Sequence, residues 1–281
     1  MAGHGGARRR RAIAAAARVE RAQVALENDV LRAIIADLVR VRAATLEVIA
    51  SSPKDWQIVH AKGVLAELDR QLVAWERVAA TALSGAVPAA ADLGAQSIID
   101  PLIAAGSTLT TMPVIPQSII ATAYATLPDL IAGVRSEIIA KVGTILRMAV
   151  LGQKTPLEAM AEVGRIVGPT ARGPFRNAAL RSEFIVRTEL GRISQQSAYA
   201  TGLDLAGYGA NAGLVSEWLT AGDTRVRHTH AAANGQRVPI GSDFTVGGHA
   251  TRYPHDPRLP AKESVGCRCR ILEVDPAWDE A

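Results

Sequence analysis

The sequence predicts a mostly α-helical protein that ends in a small, loop-rich α+β module with a few short strands. Three observations predict it. Alanine is abundant and aromatic residues make up only 4% of the chain, a bias that favours helices because alanine loses no side-chain entropy in one. Apolar residues recur at spacings of three and four along the helical stretch of residues 7–50. After Gly202 that periodicity gives way to Gly, Pro, Asp and His, the composition of turns and short strands.

Taken in order, residues 1–6 read as a disordered tail. Residues 7–50 contain neither Pro nor Gly, and Val24, Leu31, Ile34, Ile35, Leu38, Val41 and Leu46 mark one apolar helix face. Ser52-Pro53-Lys54-Asp55 reads as a helix start, with Ser52 as the N-cap. That helix carries Trp56, Val64, Leu68, Leu72, Trp75 and Leu83 and is expected to stop at Gly85, which makes the first two elements a long helical hairpin. Residues 86–127 read as short helices interrupted by Pro and Gly, followed by a helix from Asp129 to Leu151. Thr155-Pro156-Leu157-Glu158 has the pattern of a capping box and starts a short helix to Val167. Gly168-Pro169 and Gly173-Pro174 mark a linker, and a long helix is expected from Phe175 to about Leu205. Leu214–Leu219 and Arg270–Val274 alternate as strands. The expected divisions are thus a tail (1–6), an N-terminal helical region (7–151), a helical segment (152–206) and the loop-rich module (207–281).

Charge and composition narrow the function classes. The chain has 281 residues and a net charge of +4. Nine Arg against five acids in the first fifty residues account for that whole excess. Arg8, Arg9, Arg10 and Arg11 are therefore candidates for sequence-independent contact with the phosphates of double-stranded DNA, set against the plainer reading of a solvated basic tail. No leader with an uninterrupted apolar stretch is visible. The uncharged run between Asp100 and Asp129 is broken by Pro101, Pro113, Pro116 and Pro128, so no integral membrane span is expected. Two cysteines one residue apart are poor partners for each other in a structural disulfide and fit a reducing compartment.

Four of the six His (228, 230, 249 and 255) and both Cys fall between residues 228 and 269. His228, His230, Cys267 and Cys269 form a candidate tetrahedral zinc set, because residues at i and i+2 on extended backbone point the same way. A structural zinc would staple a module with few apolar residues, although no cofactor is required. The alternative is that these are loop histidines and ordinary buried cysteines. Asp223-Thr224-Arg225-Val226-Arg227-His228 reads as a run of ion pairs that pin a loop, and Trp218 as core.

The order Trp218, Asp223-x-Arg225-x-Arg227-His228, Asn234-Gly235, Val238-Pro239, Pro254-x-Asp256-Pro257 and Gly266-Cys267-Arg268-Cys269-Arg270 resembles the head-morphogenesis family named after protein F of phage Mu. Arg187-Thr188-Glu189 resembles that family's Arg-Thr-Glu upstream of the module. The resemblance covers residues 150–275. Gly266 stands where the family usually has Asn, and either His228 or His230 matches its His. It implies a non-enzymatic minor head protein of a tailed bacteriophage, inside the virion and, during assembly, in the host cytoplasm. The implied roles are head morphogenesis and DNA packaging or ejection. The implied partners are the portal protein, the major capsid or scaffold protein, and phage DNA. Two other classes are set against it. A metal-dependent nuclease or zinc hydrolase of the His-Asn-His kind would use His228, His230, His255, Asp256 and the cysteines to activate water, but the chain has no His-Glu-x-x-His and no clear His-Asn-His order. A membrane-active ejection or toxin-like protein would use the uncharged span 101–128.

Overall fold

The computed structural model describes residues 4–52, 57–109, 112–168, 177–207 and 213–278. Five helices come first: α1 (His4–Ala50), α2 (Ile58–Ala105), α3 (Gln117–Val150), α4 (Pro156–Val167) and α5 (Ala178–Ala206). The C-terminal elements are β1 (Val215–Leu219), α6 (His228–Ala233), β2 (Arg237–Pro239), β3 (Phe244–Val246), β4 (His249–Thr251), α7 (Ala261–Ser264), β5 (Arg270–Val274) and a 3₁₀ turn at Pro276–Trp278. The expected class, helices followed by a small α+β module with short antiparallel strands, is what the chain forms.

The chain divides into two compact units. One comprises residues 28–85 and 124–186, the other residues 1–27, 86–123 and 187–281. The units interleave along the chain because the helices are long: at about 1.5 Å of rise per residue, helices such as α1 and α2 outreach any single core. Each of α1, α2, α3 and α5 therefore gives a segment to both units.

The all-helical unit is built on the apolar stripes read from the sequence. Ile34, Leu38 and Val41 on α1, Leu68, Leu72 and Trp75 on α2, and Ile131, Val134 and Ile138 on α3 are buried. The spacings of three and four put each set on one face of its helix. Trp75 donates its indole N–H to the carbonyl of Ile34 at 3.2 Å, satisfying the one polar atom that its burial would otherwise strand. Arg135 reaches Asp69 (2.8 Å) and Glu76 (3.3 Å). The capping box forms as expected: Thr155 Oγ1 accepts from the Glu158 N–H at 3.2 Å and the Glu158 carboxylate accepts from the Thr155 N–H at 2.8 Å.

Three boundaries differ from expectation. α1 begins at His4, inside the stretch read as a tail. α2 does not stop at Gly85 but runs through Pro88 and Pro101 to Ala105, and α3 starts at Gln117 and contains Pro128. The break read over residues 86–127 thus shrinks to residues 106–116. A proline inside a helix costs about 3 kcal/mol, and burial offsets it here: Val87, Ala90, Ala91, Ile98 and Leu102 on α2 are fully buried. By length and composition α2 is also apolar enough to cross a membrane, with 44% of its most apolar stretch buried inside the protein. The expected start at Pro53–Trp56 and the linker at residues 169–174 lie outside the described residues.

The second unit carries the module. β1 is the central strand of a three-stranded antiparallel sheet, β2-β1-β5, with Trp218 opposite Ile271 and Ser216 opposite Glu273. β3 and β4 form a hairpin. Trp218, Phe244, Val246, Cys267, Cys269, Ile271, Val274 and Trp278 share one core with Ala12 and Ala16 of α1, Ile98 and Leu102 of α2 and Ala198 of α5. The alanines permit close approach. At Gly94 the approach is closer still: a Cβ there would lie 2.1 Å from the Ser194 carbonyl oxygen of α5. One turn away Ser197 donates to the Ala91 carbonyl at 2.7 Å.

Candidate metal centre

The segment 267–269, just before β5, has the alternation expected of a Cys-x-Cys pair. Cys267 and Cys269 turn inward and are buried, while Arg268 faces out. Both thiols are free. His230 comes to them from α6, and its Nδ1 lies 3.3 Å from Cys269 Sγ and 3.5 Å from Cys267 Sγ. Among the described residues, His230, Cys267 and Cys269 are a group of ligand-type side chains that could hold a metal ion, with their ligand atoms within 4.8 Å of one another. His228 is not part of it. Residues 228–233 are helical rather than extended, so positions two apart point in nearly opposite directions. His230 is buried and His228 faces solvent.

The other ring nitrogen of His230, Nε2, lies 3.1 Å from Glu263 Oε2 on α7. The same carboxylate oxygen accepts from Thr229 Oγ1 at 2.8 Å. Burial pushes the Glu263 carboxyl up, but the bond from Thr229 and the charge of His230 outweigh it and hold it below its ordinary value. The carboxylate holds the ring by Nε2 so that Nδ1 faces the two sulfurs. Cys267 is the more acidic sulfur. A hydrogen bond from Cys269, helped by His230, pulls its thiol well below the ordinary range against the effect of burial, and the same bond holds the Cys269 proton on. The backbone N–H of Cys269 also donates to Cys267 Sγ at 3.3 Å. The ring of Trp218 walls the group, edge-on to His230 and Phe244 at centroid distances of 6.0 and 5.5 Å.

The remaining motif residues act as pins. Arg268 grips both oxygens of Asp223 at 2.6 Å, which holds that carboxyl far below its ordinary value. The Asp223 side chain also accepts the Arg225 N–H at 3.0 Å, and the Arg225 guanidinium is exposed beside it. Arg227 precedes α6 and donates to the Val265 carbonyl at 2.5 Å, tying α6 to the turn after α7. Gly235 sits at φ +80° in the turn entering β2, a conformation that suits glycine. Its N–H donates to the Trp218 carbonyl at 2.8 Å. Asp256, flanked by the buried Pro254 and the exposed Pro257, accepts the backbone N–H groups of Arg252 and Arg258, each at 2.9 Å. Burial raises its carboxyl, but the Arg258 guanidinium and these two N–H groups bring it below its ordinary value. His255, beside it, takes φ +66° and is buried with Nδ1 lacking a hydrogen-bond partner among the described residues. Thr188, from the upstream Arg-Thr-Glu run, accepts the Gly266 N–H at 3.0 Å, and Arg187 pairs with Glu27 at 3.0 Å.

The basic N-terminal run is only partly free for a ligand. Arg9 is paired with the buried Glu217 at 2.7 Å, and Arg11 donates to the Ala104 carbonyl at 2.8 Å. Arg8 and Arg10 are exposed.

Glu263, Glu217 and Glu273 were not singled out from the sequence. Glu217 and Glu273 had a legible signal, since each is an acid inside a strand of otherwise apolar pattern, Val215–Leu219 and Arg270–Val274. Glu263 had none, because Pro-Ala-Lys-Glu-Ser reads as a solvated turn.

Comparison with known proteins bears on the same region. Residues 169–272, a little over a third of the chain, match the family described as Phage Mu protein F like protein. A curated relative, the NAD(+)--arginine ADP-ribosyltransferase EFV of Enterococcus faecalis, is 32% identical over 117 residues, which are 41% of this chain and 22% of that protein. The chain thus spans about a fifth of the length of that relative. No solved structure matches the chain.

Proposed function

We propose that this chain is a minor head protein of a tailed bacteriophage. In this reading it is a non-enzymatic virion component that associates with the portal inside the head and acts in head morphogenesis and in DNA packaging or ejection. The match of residues 169–272 to the Phage Mu protein F like family carries the reading. The geometry agrees with it. Asp223, Arg227, Asp256, Arg268 and Gly235 are engaged in hydrogen bonds and ion pairs within the module, as residues that build a scaffold would be. The activity in the name of the enterococcal relative belongs to that protein, four-fifths of which has no counterpart in the matched stretch.

Partners follow from the same reading: portal protein, major capsid or scaffold protein, and double-stranded DNA. Since Arg9 and Arg11 are engaged within the fold, phosphate contact from that run falls to the exposed Arg8 and Arg10; Arg18 and Arg21, also exposed on α1, lie within one stripe with Arg10 by helical spacing. The test is infection with phage lacking this chain. Heads are expected to assemble aberrantly, or to form and deliver DNA poorly. Fully normal, infectious particles overturn the assignment.

A further inference from the structure

We propose that His230 Nδ1, Cys267 Sγ and Cys269 Sγ bind one zinc ion, with the fourth coordination position open to the cleft in front of them. The site is formed within the module and is independent of the head-protein reading.

Distances support it first. With Zn–S about 2.3 Å and Zn–N about 2.0 Å in a tetrahedron, a nitrogen and a sulfur ligand stand about 3.5 Å apart. The two N–S separations here are 3.3 and 3.5 Å. The donor set supports it next. Two sulfurs and one imidazole, all nearly inaccessible to solvent, are the soft ligands that select zinc over magnesium or calcium.

The surroundings are those that orient ligands. Glu263 anchors the far side of the imidazole at 3.1 Å, a carboxylate–histidine arrangement that aims Nδ1 at the ion. The N–H of Cys269 points at Cys267 Sγ. Thr229 steadies Glu263 in turn.

The fourth position follows from the cleft. The cleft opens to solvent, leaves about 20 Å³ for a water-sized ligand, and is lined by Ala221, Val226, Gly266, Arg225, Arg227 and Arg268. Water, or an anion drawn by those arginines, completes the tetrahedron there. The ion joins α6 to the residues that lead into β5 and so closes a loop of almost forty residues. Such a closure stabilises a module whose strands are only three to five residues long.

The experiment is a titration of reduced, metal-stripped, full-length protein with Co²⁺, followed by Zn²⁺. The expected result is the visible d–d absorption of tetrahedral cobalt together with a thiolate-to-cobalt charge-transfer band. Both saturate at one equivalent and are abolished when Zn²⁺ is added. Cys269→Ser is expected to remove the charge-transfer contribution of one thiolate, His228→Ala to leave the titration unchanged, and Glu263→Gln to weaken affinity about 10- to 100-fold. Absence of tetrahedral cobalt bands in the unmodified protein overturns the proposal without reference to any variant. Equal loss of binding in His228→Ala also overturns it.

Discussion

Replacing Gly94 by alanine should cost the unit formed by residues 1–27, 86–123 and 187–281 more than about 3 kcal/mol or unfold it outright. In an exposed helix the same change stabilises by roughly 0.5–1 kcal/mol, because glycine loses more backbone entropy than alanine. The sign is reversed here by contact with backbone. The new Cβ would lie 2.1 Å from Ser194 O, 2.9 Å from Ser194 C and 2.8 Å from Ser197 Cβ. A main-chain carbonyl cannot rotate away as a side chain can, so α2 and α5 must separate. Separation breaks the bond from Ser197 to Ala91 and opens the core around Ile98 and Ala198, a case of overpacking beyond its usual ~1–3 kcal/mol. Gly85→Ala is the control. Nothing lies within 4 Å of a Cβ at that position, so thermal unfolding should show equal or greater stability. A Gly94→Ala protein as stable as wild type would mean that α2 and α5 are not in contact at this point.

Glu273→Gln should stabilise the protein above pH 7 and leave it unchanged below about pH 4.5. Glu273 is almost wholly buried in β5, opposite Ser216, whose hydroxyl lies 2.9 Å from both carboxylate oxygens. Burial pushes its carboxyl up to about 7, against an ordinary 4.5, and the Ser216 hydroxyl offsets only part of that. Between those two values the folded chain holds a proton that the unfolded chain has released. Stability therefore falls as pH rises through the window and is flat above it. At 1.36 kcal/mol per pH unit, the cost at pH 8 is about 3 kcal/mol. Glutamine keeps an acceptor for Ser216 and carries no charge. Melting temperatures measured from pH 4 to pH 9 should therefore converge at the acid end and diverge at the alkaline end. A variant less stable than wild type at pH 8 would show that the carboxylate is compensated by a cation.

The two predictions concern residues that the sequence signalled unequally. The apolar stripe through Leu68, Leu72 and Trp75, the Thr155–Glu158 capping box and the inward-facing Cys267 and Cys269 were legible, because each depends on spacing within one element. Gly94 was not, since its significance comes from a helix a hundred residues away. Pro88 and Pro101 misled for the same reason: local propensity argues for a break, and burial against distant elements outweighs it. At the candidate metal centre the sequence placed four ligands by assuming extended backbone at both pairs. Residues 267–269 alternate in burial as two inward thiols need, whereas from His228 six residues close into a helix and send the two imidazoles apart. Glu263, which orients His230, was hidden in a turn of ordinary composition.

A chain that is a component of a phage head, as we propose, travels with the particle. The most direct test is to locate it in purified, protease-treated particles by mass spectrometry and a cryo-EM map. It should stay with the heads in a few copies per particle, shielded from protease, with density at the portal vertex. Its complete absence from heads that retain portal and capsid protein would overturn the assignment.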